Sequence, residues 1–159
     1  MSIGKMLVTL VIMAGVSYTA SHAQQEQRAL ATNATEHRVG TASFYHPKFE
    51  GRKTATGEVF DNELYTAASN HYKLGTYVKV TNIANKKVVY VKINDRMGHP
   101  SRVIDLTEQA ASDLSFISKG LTKVKIEVVP HQEGKTQILA QNNAKTGTSS
   151  TTTQRNNEL

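Results

Sequence analysis

The sequence predicts a mainly β domain, a small closed barrel carrying one or two short helices, and three observations point to it. Three segments alternate apolar and polar residues with period two, a short Asn-containing turn joins two of them, and one compact helix is well signalled. Short strands with so little helix to cover them favour closure, because a closed sheet leaves no exposed edge.

The elements follow in chain order. Val39 to Tyr45 reads as an opening strand. In the next, Val78 and Val80 alternate with Tyr77, Lys79 and Thr81; in its partner, Val89, Val91 and Ile93 alternate with Val88, Tyr90 and Lys92. Asn82 to Lys86 joins these two as a hairpin, with Asn85 expected at the left-handed turn position. Arg102 to Asp105 is a short strand. Thr107 is expected to cap a helix in which Leu106 and Ala111 form a hydrophobic staple and Ala110, Ala111 and Leu114 face inward, ending by Gly120. A last strand alternates Val124, Ile126 and Val128 with Lys123, Lys125 and Glu127.

This places one domain at residues 37–130, with flanks of other character. Lys5 precedes an almost wholly apolar run, Met6 to Val16, and Ser21-His22-Ala23 offers the small residues a signal peptidase needs, so residues 1–23 read as a signal peptide cleaved after Ala23. The run is well short of the roughly 20 residues that span a bilayer, so no stable membrane anchor is expected. Residues 24–36 read as a flexible leader. Residues 131–159, poor in apolar residues and rich in Thr, Ser and Gly toward the end, read as a disordered low-complexity tail.

The 159 residues include no cysteine, which excludes a disulfide framework, a thiolate metal site and lipid attachment to a Cys. The formal net charge is +6, with the basic excess between His37 and Val129. In an exported domain that balance points to anionic envelope polymers rather than nucleic acid.

Glycosidic bond cleavage needs a carboxylic acid to protonate the departing oxygen and usually a second carboxylate. Glu58, Asp61 and Asp95 are the candidates, set in Gly57-Glu58-Val59-Phe60-Asp61 and Ile93-Asn94-Asp95-Arg96. Glu58 is expected among apolar neighbours that raise its pKa, as a general acid requires. Asp61 reads equally as a turn former and as a site residue. Asp95 is either ion-paired by Arg96 or a site residue that Arg96 orients. Asp105 reads as structural, capping the helix or receiving Arg102. The histidines at 37, 46, 71, 99 and 131 lack metal-ligand spacing, so no metal is assigned, and no Gly-x-Ser-x-Gly elbow surrounds Ser43 or Ser69. Phe44, Tyr45, Phe49, Phe60, Tyr65, Tyr72 and Tyr77 are core or a sugar-stacking platform, the core claiming most in a barrel this small.

Six ordered blocks carry a family likeness: Val39-Gly40-Thr41-Ala42-Ser43-Phe44-Tyr45, Gly51 to Asp61, Leu64-Tyr65-Thr66-Ala67-Ala68, Tyr77 to Asn82, Asn94-Asp95-Arg96, and Arg102-Val103-Ile104-Asp105-Leu106. Together they resemble the rare lipoprotein A family of cell-wall lytic transglycosylases. The resemblance implies a six-stranded double-psi β-barrel, a periplasmic or envelope location, and cleavage of the MurNAc–GlcNAc bond of peptidoglycan strands to leave 1,6-anhydro ends, with a preference for strands stripped of stem peptides. Under it Glu58 and Asp61 match the carboxylates held to be essential and Asp95 a further site aspartate, while Arg52, Thr54, Ser69, His71 and Arg96 complete the expected substrate-binding set. No cofactor is implied, and a monomer is expected.

The chain departs from the family pattern at Ser69, where a His is usual, with His71 two residues on. It also reads Met97-Gly98-His99-Pro100 where Gly-Pro is common, and carries neither a lipid-attachment Cys nor a C-terminal glycan-binding repeat domain. The rival expectation is a module that grips wall glycan, as expansin-like domains do, without cleaving it.

Overall fold

The structure is a computed structural model that describes residues 37–154, with side chains to residue 146. The expected signal peptide and leader lie outside the described residues. Six strands form a closed barrel: β1 (His37–Phe44), β2 (Thr66–Ala68), β3 (Tyr77–Asn82), β4 (Val88–Asp95), β5 (Ile104–Leu106) and β6 (Thr122–Val129). Their order around the barrel is β1-β5-β2-β4-β3-β6, and β6 returns antiparallel to β1. The β1–β5 and β2–β4 pairs are parallel and the rest antiparallel. This is the closed, mainly β architecture that the strand alternation predicts.

The alternating residues behave as period two demands. Val78, Val80, Val89, Val91, Ile93, Val124 and Ile126 are fully buried, while Lys79, Tyr90, Lys92 and Lys125 stay partly exposed. Each such burial is worth about 1.5–3 kcal/mol, and Ile104, Leu106, Leu114 and Phe116 join the same core. β2 has only three residues, too few to show a period.

Two turn-scale expectations are corrected. In the β3–β4 turn the left-handed residue is Lys86 (φ 64°), because Asn85 instead spends its side chain accepting from Lys87 N–H and donating to the Leu114 carbonyl. The short helix α1 (Glu108–Asp113) does begin after Thr107, but the Thr107 hydroxyl donates to the Leu64 carbonyl at 2.6 Å rather than capping. That bond ties the helix to the chain entering β2.

The segment read as a disordered tail differs more. Residues His131–Gln154 form a helix, α2. Few apolar residues mark it, and its docking is largely polar: Gln141 accepts from Tyr90 N–H (2.7 Å) and donates to the Tyr90 carbonyl (2.9 Å). Because β2 is so short, this stretch of β4 has no strand beside it on that flank, and one amide takes the place of a strand partner. Ile138 packs against the core. Among the described residues no helix is long and apolar enough to cross a membrane.

Candidate active site

The site grows from a small arm between β1 and β2. Arg52 to Thr54 doubles back on Glu58 to Phe60 through the Lys53–Val59 bridge, with Thr54 N–H donating to the Glu58 carbonyl and Phe60 N–H to the Arg52 carbonyl. Gly57, at φ 85°, makes the return, a conformation open to glycine at no steric cost. Thr54, expected to bind substrate, is buried and bonds to the Thr56 hydroxyl and the Glu58 carbonyl, so it stiffens the arm instead.

The arm meets the end of β4, where the pairing with β2 slips by one residue at Asn94. Such a bulge breaks the inward–outward alternation and re-aims side chains. Ile93 and Asn94 are both buried as a result, and Asp95 is presented toward the arm. Thr56 N–H donates to the Asn94 carbonyl, and Ala55 N–H donates to Asp95 Oδ1 at 2.8 Å. The Arg96 N–H reaches the same oxygen at 2.8 Å, and the Tyr45 hydroxyl donates to Oδ2 at 2.8 Å.

Tyr45 is the partner of Asp95 that sequence reasoning missed. Burial, then the hydrogen bond to Asp95, pushes its hydroxyl far above the ordinary tyrosine value, so it remains a donor. Its ring is packed between Phe60 (4.4 Å between centroids) and Phe49 (5.8 Å). Arg96 does not orient Asp95 with its guanidinium, as expected; that group donates to the Ser69 and Tyr72 carbonyls in the loop that follows β2.

Asp95 opens onto a cleft of about 650 Å³, lined also by Phe44, Tyr45, Phe49, Arg96, Arg102 and Asp105. Asp105 was assigned a structural part, and it does receive Arg102, with Nη2 3.0 Å from Oδ2 and Nε 2.8 Å from Oδ1. The Ser43 hydroxyl also donates to it at 2.6 Å. It nonetheless lies in the same cleft as Asp95. Of the seven aromatics, Phe44, Tyr45 and Phe49 line this cleft, whereas Phe60, Tyr65 and Tyr72 are buried.

Glu58 corrects the sequence reading. Val59 points to solvent and Phe60 is buried beneath the arm, so neither surrounds the carboxylate. It faces Lys92, with Nζ 2.5 Å from Oε1, and Asn94, whose amide donates to Oε2 at 2.9 Å. These bonds, Lys92's first, lower its pKa instead of raising it. Glu58 opens onto a second, smaller depression of about 310 Å³ and does not line the Asp95 cleft.

Asp61 lines neither cavity; its Oδ1 accepts from Glu63 N–H at 2.8 Å in an Asx turn. Ser69, expected in the groove, is fully buried and donates to the Val103 carbonyl at 2.8 Å. His71 is exposed and lines neither cavity. Arg52 is exposed with its guanidinium over Phe49, 5.4 Å from the ring centre. Among the described residues no group of three or more His, Asp or Glu is arranged to hold a metal ion.

Residues 37–126 match the sequence model of the family described as lytic transglycolase. The chain belongs to that family. It is similar to the endolytic peptidoglycan transglycosylase RlpA of Pasteurella multocida, 46% identical over 93 residues, which are 58% of this chain and 32% of that protein. It is similar also to the protein of the same name from Neisseria meningitidis serogroup A, 45% identical over 96 residues, 59% of this chain and 40% of the relative. The chain thus spans about a third of the length of the curated relatives it matches. The solved Streptomyces papain inhibitor shares the fold, with a TM-score of 0.50 at 20% identity, covering 61% of this chain and 97% of that one. The arm, the bulge and the helix α1 all lie inside the segment that defines membership of the lytic transglycolase family.

Proposed function

We propose that this protein is an endolytic peptidoglycan lytic transglycosylase, cleaving MurNAc–GlcNAc bonds of strands poor in stem peptides to give 1,6-anhydro ends. The observation that carries the reading is the fixed Asp95 carboxyl at the mouth of an open cleft in a lytic transglycolase domain, held by Tyr45 and the arm. Glu58 and Asp105 are both ion-paired, with Lys92 and Arg102. Asp95 is held by neutral donors, so it can exchange a proton without breaking an ion pair among the described residues.

In this mechanism Asp95 gives its proton to the glycosidic oxygen as the C1–O bond breaks. Its conjugate base then takes the proton of the MurNAc C6 hydroxyl as that oxygen closes on C1. Atoms balance with no water and no cofactor. Glu58 does not line this cleft; held as an anion by Lys92 on the other side of the arm, it acts on the positive charge of the sugar through its field rather than by contact, and Asp61 supports the base of the arm. Aromatic faces at Phe44 and Phe49 and the cations Arg52 and Arg96 hold flanking sugars. Export by a signal peptide ending near Ala23, action in the periplasm or at the outer envelope, absence of a membrane anchor and a monomeric state belong to the same proposal.

Incubating the protein with amidase-treated peptidoglycan and analysing the products by mass spectrometry tests it. Anhydro-ended fragments are expected; glycan that is bound and never cut would reduce the domain to a wall-binding module.

A further inference from the structure

The helix α2 begins beyond the segment that matches the family, yet it is firmly docked. Gly134 backs so closely onto Tyr77 that a Cβ there would lie 2.3 Å from the Tyr77 Cβ. Gln141 clamps Tyr90 with two bonds, Ile138 reaches the core, and Lys145 pairs with Glu63. A helix fixed at successive turns is a wall.

What the wall encloses is the depression of about 310 Å³ on the Glu58 side, a size at the lower end of small-ligand sites, roughly 300–1,000 Å³. Its barrel side presents Glu58, Tyr77 and Lys92, and its helix side Lys135, Leu139 and Asn142. Leu64 and Leu139 also line it, 45% and 55% exposed, so apolar surface faces solvent beside polar groups. That mixture suits a pyranose, which has apolar C–H faces and a polar rim. The charge at the two lysines is not equal: Lys92 is spent on Glu58, whereas Lys135 forms no ion pair among the described residues.

We infer that this depression is a saccharide subsite that α2 adds beside the catalytic arm, and that it takes a sugar unit bearing a free carboxylate, with Lys135 as its cation and Asn142 as its amide partner. The inference rests on the glycan-cleaving reading. In peptidoglycan such a unit is a muramoyl residue without its stem peptide, whose lactyl carboxylate is then unblocked. A stem peptide would convert that carboxylate into an amide and remove the charge that Lys135 meets.

Binding measured on the full chain carrying Asp95→Asn tests this. One ligand is an amidase-treated glycan oligomer, and the other is the same oligomer with its carboxylates converted to methylamides. Lys135→Ala is expected to weaken the first about two- to fivefold, the scale of an exposed ion pair, and to leave the second unchanged. Lys123→Ala, on β6, leaves both unchanged, and an unaltered melting temperature shows that the exposed Lys135 position does not disturb folding. Equal weakening of both oligomers, or of neither, overturns the assignment of Lys135. Failure of the parent chain to bind either oligomer would instead count against the glycan reading itself.

Discussion

The two flanks of the arm hold their carboxylates by different means. On one flank Asp95 is fixed by a tyrosine hydroxyl and two backbone N–H groups; on the other Glu58 is fixed by the Lys92 ammonium and an asparagine amide. Neutral donors set a position and leave the carboxyl able to change protonation without stranding an opposite charge. A salt bridge sets the charge as well as the position. The end of β4 therefore presents to the arm a group suited to move a proton, while the arm itself carries a group suited to stay negative.

The first way to break that comparison is Asp95→Asn, which keeps the acceptor oxygen but cannot trade a proton. Its kcat on amidase-treated glycan is expected to fall by about 10² to 10⁴, with the dissociation constant for glycan nearly unchanged. Tyr45→Phe removes one of the three donors and is expected to cost about tenfold in kcat, read in the same assay. Asp61→Asn, which preserves the Asx-turn acceptor, is expected to be milder than Asp61→Ala, and comparing their turnover separates the charge of Asp61 from its turn.

Lys92→Met sharpens the Glu58 side. Because the folded pKa of Glu58 is depressed, its negative charge and the link to Lys92 are present above the ordinary carboxylate value and are lost only as pH falls through the lowered one. Without Lys92 the acid limb of the pH–rate profile moves to higher pH. The smallest effect is expected from Gln141→Ala, about 1 kcal/mol in thermal unfolding, since it unpairs the Tyr90 backbone without touching the arm.

The barrel was legible because β3, β4 and β6 are long enough for alternation to register, and closure follows from edges that must be paired. β2 was not legible as a strand, since three residues carry no period. Helix α2 escaped because it is held by a glutamine clamp and one isoleucine rather than by an apolar stripe. At the site, the carboxylates could be read from Gly57-Glu58-Val59 and Asn94-Asp95-Arg96. Their partners could not: Tyr45 lies 50 positions from Asp95 and Lys92 34 positions from Glu58, distances that only the closed barrel spans. Ser69 reads as a groove residue only because it stands where the family usually has a His; in the structure it is fully buried, with its hydroxyl on the Val103 carbonyl.

The most direct test is the pH–rate profile of Glu58→Gln beside Asp95→Asn on denuded glycan, from acid to neutral. If Asp95 moves the proton, Glu58→Gln turns over slowly, losing the acid limb that Glu58 sets and keeping the fall in rate toward neutral pH, and Asp95→Asn is nearly inactive and without that fall. The reverse pattern, a flat Glu58→Gln and a pH-dependent, active Asp95→Asn, would contradict the division of labour between the two flanks.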